Sequence, residues 1–139
     1  MIRWLLDTDH VTLLGQGHQQ LQQRIATTAP DEVAVSPMTI EEVYRGRLAY
    51  LARSLPPAQR VQGYANLVLS IRFFEPFPIV PYALTSEDKF QRLRGLRIRI
   101  GTMDLRIAAT ALAHNLIVLT RNRRDFGQVP NLTIEDWTV

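Results

Sequence analysis

Short apolar runs, each halted by polar residues, alternate along this chain with longer segments of helical spacing, and that alternation constrains the fold most. Ile2 to Leu6 is apolar apart from Arg3 until Asp7-Thr8-Asp9, Val33 to Val35 precedes Ser36-Pro37, and Leu116 to Leu119 precedes Thr120-Arg121. Such runs read as strands buried on both faces. Ile79-Val80 is a weaker strand candidate, and Leu132 to Ile134 forms the last. Ile40, Val43, Tyr44, Leu48 and Leu51 follow helical spacing from Thr39, and Val61, Ala65, Val68 and Ile71 mark a second helix. A third starts at Thr85-Ser86-Glu87-Asp88 and stops near Gly95. A fourth opens at Gly101-Thr102 and ends at Asn115. Wholly apolar strands alternating with helices predict a three-layer α/β domain: a five-stranded, mostly parallel sheet with helices on both faces.

With 139 residues, the chain is expected to form one domain over residues 1–139, burying roughly 68% of its unfolded surface. Residues 10–23 and 107–120, the longest stretches free of Asp, Glu, Lys and Arg, fall short of the roughly 20 apolar residues of a spanning helix. No membrane association is expected. Asp7 and Asp9 interrupt the position of a signal peptide's apolar region, and the absence of cysteine excludes a disulfide scaffold, thiolate zinc sites and a cysteine nucleophile. The cytoplasm is the expected location.

Right-handed crossovers place strand ends and the starts of the following helices on one edge of such a sheet, where ligands bind in open α/β folds. Asp7 ends the first strand, Glu42 and Asp104 lie in first helical turns, and Asp125 follows the strand ending at Leu119. Each has a local explanation: Asp7 as a helix cap, Glu42 in a capping box with Thr39, Asp104 as a partner of the helix dipole, Asp125 as a turn residue. Together, four carboxylates on one edge repel unless something neutralises them. A hard divalent cation, Mg²⁺ or Mn²⁺, takes oxygen ligands and leaves positions for phosphate oxygens.

The charge around these acids is basic. Lys89, Arg92, Arg94, Arg97, Arg99, Arg106, Arg121, Arg123 and Arg124 face one acid, Asp104, in a chain whose net charge is only +3. Arginine's planar fork suits phosphate contacts, so Arg97, Arg99, Arg121 and Arg123 are candidates for gripping a polynucleotide backbone. Acids for a metal and a basic rim for a polynucleotide read as a nuclease.

These segments resemble PIN-domain ribonucleases, specifically the VapC-like toxins of bacterial toxin-antitoxin pairs. Leu5-Leu6-Asp7-Thr8-Asp9 is similar to the family's opening strand and first acid, and Thr39-Ile40-Glu41-Glu42-Val43-Tyr44-Arg45-Gly46 to its second motif. Ile100 to Ala109 and Leu119 to Phe126 resemble the third and fourth. The resemblance implies a metal-dependent endoribonuclease with catalytic and metal-binding roles for Asp7, Glu42, Asp104 and Asp125. It also implies supporting roles for Thr8 and Asn122, a homodimer, and neutralisation by a cognate antitoxin protein. Position 9, usually Asn in this pattern, is Asp here, either a further acid of the site or a preserved helix cap, and its role stays open. Glu41 and Glu42 point about 100° apart on a helix, so only one faces the pocket, and Glu42 has the family's spacing from Thr39.

Other chemistries find no support: no G-x-G-x-x-G, P-loop or G-x-S-x-G is present. His10, His18 and His114 lack zinc-ligand spacing and are expected on the surface or in satisfied hydrogen bonds. A receiver domain would need a lysine near the end of the sheet, and the only lysine is Lys89. The alternative left open is a catalytically silent module that keeps the fold and binds RNA or a protein partner.

Overall fold

In a computed structural model, which describes residues 1–139, the order is β1 (Trp4–Leu6), α1 (Thr8–Gly15), α2 (Gln19–Ala26), β2 (Val33–Val35), α3 (Pro37–Leu51) and α4 (Pro57–Phe74). There follow α5 (Leu84–Gly95), α6 (Thr102–His114), β3 (Ile117–Leu119), α7 (Arg123–Phe126) and β4 (Ile134–Glu135). The strands form a parallel sheet in the order β2-β1-β3-β4, with Leu6 opposite Val35 on one side and Leu119 on the other. The sheet has four strands, not the expected five. Ile79 makes a single parallel bridge to Val35, held by the Val35 N–H donating to Pro78 O and the Val80 N–H donating to Val35 O. Pro78 and Pro81 bracket that bridge, and neither has an N–H with which to extend a ladder.

Side chains alternate across the sheet and feed two cores. Leu5, Ala34 and Val118 pack with Phe90 and Leu93 of α5 and with Leu105, Ala108 and Ala111 of α6. Leu6, Val33, Val35 and Leu119 face Val11 of α1, Leu21 of α2, Phe74 of α4 and Trp137. Helices thus cover both faces, and every strand points its C-terminal end at the same edge.

The segment between β1 and β2, for which the sequence offers only Asp7 as a helix cap, forms α1 and α2; both are eight residues long, and α2 is rich in glutamine. α3 begins at Pro37, with Ser36 accepting a hydrogen bond from the Thr39 N–H, two residues before the expected start. Asn115 closes α6 in the left-handed conformation, φ 56°. α4 packs on α3 through Gly63 and Ser70 and on the second core through Phe74, so its apolar stripe faces outward: Val61, Tyr64, Val68, Leu69 and Ile71 are all exposed. No helix is long and apolar enough to cross a membrane.

Candidate metal centre

The carboxyl edge of the sheet is built by β1, β3 and the first turns of α3, α6 and α7. Asp7 follows β1 directly and caps α1, its Oδ1 accepting from the Thr8 N–H at 2.7 Å. That local role does not exhaust it. Its Oδ2 accepts from the Thr120 hydroxyl at 2.8 Å, and only 4% of the residue is exposed. Burial foremost, then the charges of Asp9 and Asp104, push its pKa up to about 7 against the opposing pull of the Thr120 and Thr8 hydrogen bonds.

Glu42 lies one turn into α3. The expected alternative, a capping box with Thr39, does not form, because Pro37 at the first helical position starts the helix earlier and Ser36 is its cap. Glu42 is free of the helix end and accepts from the Thr8 hydroxyl at 3.1 Å, and that hydroxyl lies 3.2 Å from Thr39 Oγ1. Its neighbour Glu41 turns to the exposed face and pairs with Arg45.

Asp104 sits in the first turn of α6 behind Gly101. Partial burial foremost, followed by the charges of Glu42, Asp125 and Asp9, raises its pKa to about 6. Those named charges come from three other elements, so the acids distant in sequence share one electrostatic site. Asp125 completes it: Asn122 caps α7 by accepting from the Asp125 N–H at 3.2 Å while its amide donates to Asp125 Oδ2 at 3.0 Å.

Two residues that the sequence did not single out for the site, Thr120 and His10, belong to this edge, together with Asp9, whose role the sequence leaves open. Thr120 is fully buried and donates to Asp7, and its oxygen accepts from the Asn122 N–H at 2.9 Å. Asp9 accepts through Oδ2 from the Arg121 N–H at 3.0 Å and lies within reach of Thr120 at 3.2 Å. His10, fully buried, holds Asp9 Oδ1 at 2.8 Å. Thr120 directly follows the apolar run ending at Leu119 as Asp7 directly follows the run ending at Leu6, and the register, with Leu6 opposite Leu119, brings positions 7 and 120 side by side.

No three His, Asp or Glu side chains stand together in coordinating positions around one point. The donor set nonetheless fits a hard cation. Mg²⁺ characteristically uses one or two carboxylates and keeps several waters. None of Asp7, Glu42, Asp104 and Asp125 is in a salt bridge with an arginine or lysine, and two of them resist ionisation in the absence of a cation.

At this edge Arg121 and Arg123 are exposed on either side of Asn122, whereas Arg97 and Arg99 are exposed in the loop leading to α6, which starts at Leu96 beside Leu112 and Asn115 at the far end of that helix. Part of the basic run is used otherwise: Arg94 and Arg106 lie over the Phe90 ring, at 5.6 and 4.7 Å. A cleft of about 720 Å³ leads away from Thr8 and Glu42 between α1, α3 and α4, past Arg47, Tyr50 and Asn66.

Comparison with known proteins agrees with this architecture. The profile described as PIN domain matches residues 6–132. The chain is 25% identical over 142 residues to the tRNA(fMet)-specific endonuclease VapC of Salmonella typhimurium, covering 99% of each chain. It is 26% identical over 138 residues to ribonuclease VapC1 of Rickettsia felis, covering 94% of this chain and 92% of the relative. Among solved structures, a chain of DNA-bound VapBC from Salmonella typhimurium superposes with a TM-score of 0.81 at 24% identity, covering 99% of both chains.

Proposed function

The chain belongs to the PIN domain family, and from that premise we propose that it is a divalent-metal-dependent endoribonuclease, a VapC-type toxin held silent by a cognate antitoxin. One observation carries the reading: four carboxylates from distant parts of the sequence share one edge, two of them with raised pKa values and none paired with a basic side chain.

Asp7, Glu42, Asp104 and Asp125 would hold Mg²⁺ or Mn²⁺. When bound, such an ion activates water at neutral pH and stabilises charge developing on the scissile phosphate. Thr120 and Thr8 hold Asp7 and Glu42 in fixed orientations, and Asn122 does the same for Asp125. Burial of Asp7 keeps competing water from one side of the site. Arg121 and Arg123, beside Asn122, would draw the RNA backbone to the acids, and Arg97 and Arg99, in the loop before α6, would extend the positive surface that it follows.

The exposed apolar face of α4 is the kind of surface that a protein partner covers, in keeping with an antitoxin and a second copy of the chain as partners. A toxin that acts on cellular RNA would work in the cytoplasm, where its substrate is. The test is to map RNA ends in cells after induction of wild type and of Asp104→Asn. New 5′ ends should appear with wild type and vanish with the variant. Identical cleavage from a folded Asp104→Asn protein overturns the reading.

A further inference from the structure

We infer that His10 is a positioning residue that fixes Asp9, and through it the Thr120 and Asp7 pair, by means of a single imidazole tautomer set by the C-terminal segment. The ring is fully buried. A backbone amide can only donate, so the Trp137 N–H, 3.2 Å from Nε2, requires Nε2 to be unprotonated. The proton of the neutral ring then resides on Nδ1 and is donated to Asp9 Oδ1 at 2.8 Å. Asp136 Oδ1 lies 3.8 Å from Nε2, too far for a hydrogen bond, and is engaged by Thr138 instead.

The consequence reaches the acidic edge. Asp9 Oδ2 accepts from the Arg121 N–H and lies 3.2 Å from the Thr120 hydroxyl, and that hydroxyl is 2.8 Å from Asp7 Oδ2. Hydrogen bonds therefore run from the Trp137 backbone through His10 to Asp9, and Asp9 Oδ2 meets the acidic edge at the Thr120 hydroxyl, whose one proton lies between it and the closer Oδ2 of Asp7, the most buried carboxylate of the site. Asp9 itself is a third exposed and would otherwise be free to swing. Held from both oxygens, it keeps its charge beside Asp7 and its acceptor beside Thr120. The arrangement parallels the outer partners that orient metal ligands elsewhere, where loss of one lowers affinity or turnover substantially. The C-terminal segment is anchored in turn: the Trp137 indole donates to Glu135 at 2.9 Å and packs 5.1 Å from the Trp4 ring.

Two substitutions separate the two bonds. The Asn amide occupies the place of Nδ1, so His10→Asn keeps the bond to Asp9 and loses Trp137. The Gln amide occupies the place of Nε2, so His10→Gln does the reverse. With Mn²⁺ present, kcat for RNA cleavage should fall about tenfold in His10→Gln with KM little changed, and His10→Asn should recover all but about threefold of it. Independently of activity and of any variant, a long-range proton–nitrogen correlation spectrum of the metal-free wild type should show His10 protonated at Nδ1 and bare at Nε2.

A ring protonated at Nε2, or a His10→Asn protein as slow as or slower than His10→Gln, overturns the inference. It rests on the reading of this edge as a nuclease centre, so Asp104→Asn is measured alongside. Full cleavage by Asp104→Asn defeats that reading whatever the tautomer. An inactive Asp104→Asn with indistinguishable His10 variants defeats only the role of His10.

Discussion

The Thr120 hydroxyl donates to Asp7 Oδ2 at 2.8 Å across the gap between the ends of β3 and β1. The bond joins residues 113 positions apart in sequence and lies within the buried part of the site. It also works against the burial that raises the Asp7 pKa, since a hydrogen bond to a carboxylate favours its charged form. Removing the hydroxyl while keeping the shape isolates that contribution. Thr120→Val should destabilise the protein by about 1–3 kcal/mol by leaving buried acceptors and the Asn122 N–H unpaired. The loss should be larger above pH 7, where Asp7 is ionised, than at pH 5. Urea unfolding at the two pH values measures both, and an equal loss at each pH would show that the bond does not favour the ionised form of Asp7.

Ionisation of the site should make the metal-free protein less stable as pH rises. Asp7 and Asp104 are raised from 3.8 to about 7 and about 6, so the folded chain binds more protons than the unfolded one across that range. Stability from these groups is present in full below the unfolded value and is lost as pH climbs through the folded ones. Glu87 and Asp136 shift downward, and their opposite contribution is confined to more acidic conditions. The thermal midpoint should therefore be lower at about pH 7.5 than at about pH 5, with Mg²⁺ recovering more at the higher pH. Asp104→Asn should narrow the gap. A midpoint that rises with pH in the absence of metal would contradict the assignment of both shifts.

The sheet edge was legible in the sequence because its signals are local: three short apolar runs, each stopped by polar residues, and helix starts that follow them. Asn115 announced the end of α6 because Asn tolerates the left-handed backbone such an end requires. What was not legible depends on tertiary placement. Helical spacing in α4 reveals a stripe without revealing which side meets the core, and Val61 and Val68 turned out to face solvent. The Ile79-Val80 strand failed because the flanking prolines outweigh its apolar character. At the candidate site, Asp7, Glu42, Asp104 and Asp125 announce themselves as acids beside strand ends and helix starts. Thr120 and His10 do not, because their partners are set by strand register and by where the C-terminal segment returns.

The exposed arginines before α6 and beside Asn122 provide a separate test, because phosphate binding is read through salt dependence. Arg97 and Arg99 stand in the loop that delivers Gly101 and Asp104, and neither side chain forms an ion pair or lies over an aromatic ring. Replacing both with Gln should weaken binding of single-stranded RNA. The slope of log affinity against log salt should shrink by about 0.7 for each phosphate no longer neutralised, about 1.4 for the pair. Melting should be unaffected, since both residues are exposed. An unchanged slope would place the RNA elsewhere on the surface, with the cleft past Arg47 and Tyr50 the next region to probe.

An edge built to attract a divalent cation is also complementary to a guanidinium, which binds carboxylates through paired hydrogen bonds. A cognate antitoxin that inhibits by placing an arginine there must compete with the ion. The acids are not equivalent in this respect. Asp7 is buried and already accepts two hydrogen bonds, whereas Asp104 is partly open and accepts none from the protein. Asp104→Asn should therefore weaken the antitoxin by ~1.5–3 kcal/mol, roughly 10- to 100-fold in Kd, and Asp7→Asn should weaken it less. Excess Mn²⁺ should weaken binding to wild type and have a smaller effect on Asp104→Asn, whose hold on the ion is already impaired. Binding should not vanish in any case, because an apolar surface such as the outer face of α4 remains intact in both variants. Calorimetric titration of the antitoxin into the three proteins, with and without Mn²⁺, measures these differences. Affinities that respond neither to the substitutions nor to the ion would mean that the antitoxin inhibits from outside the acidic edge.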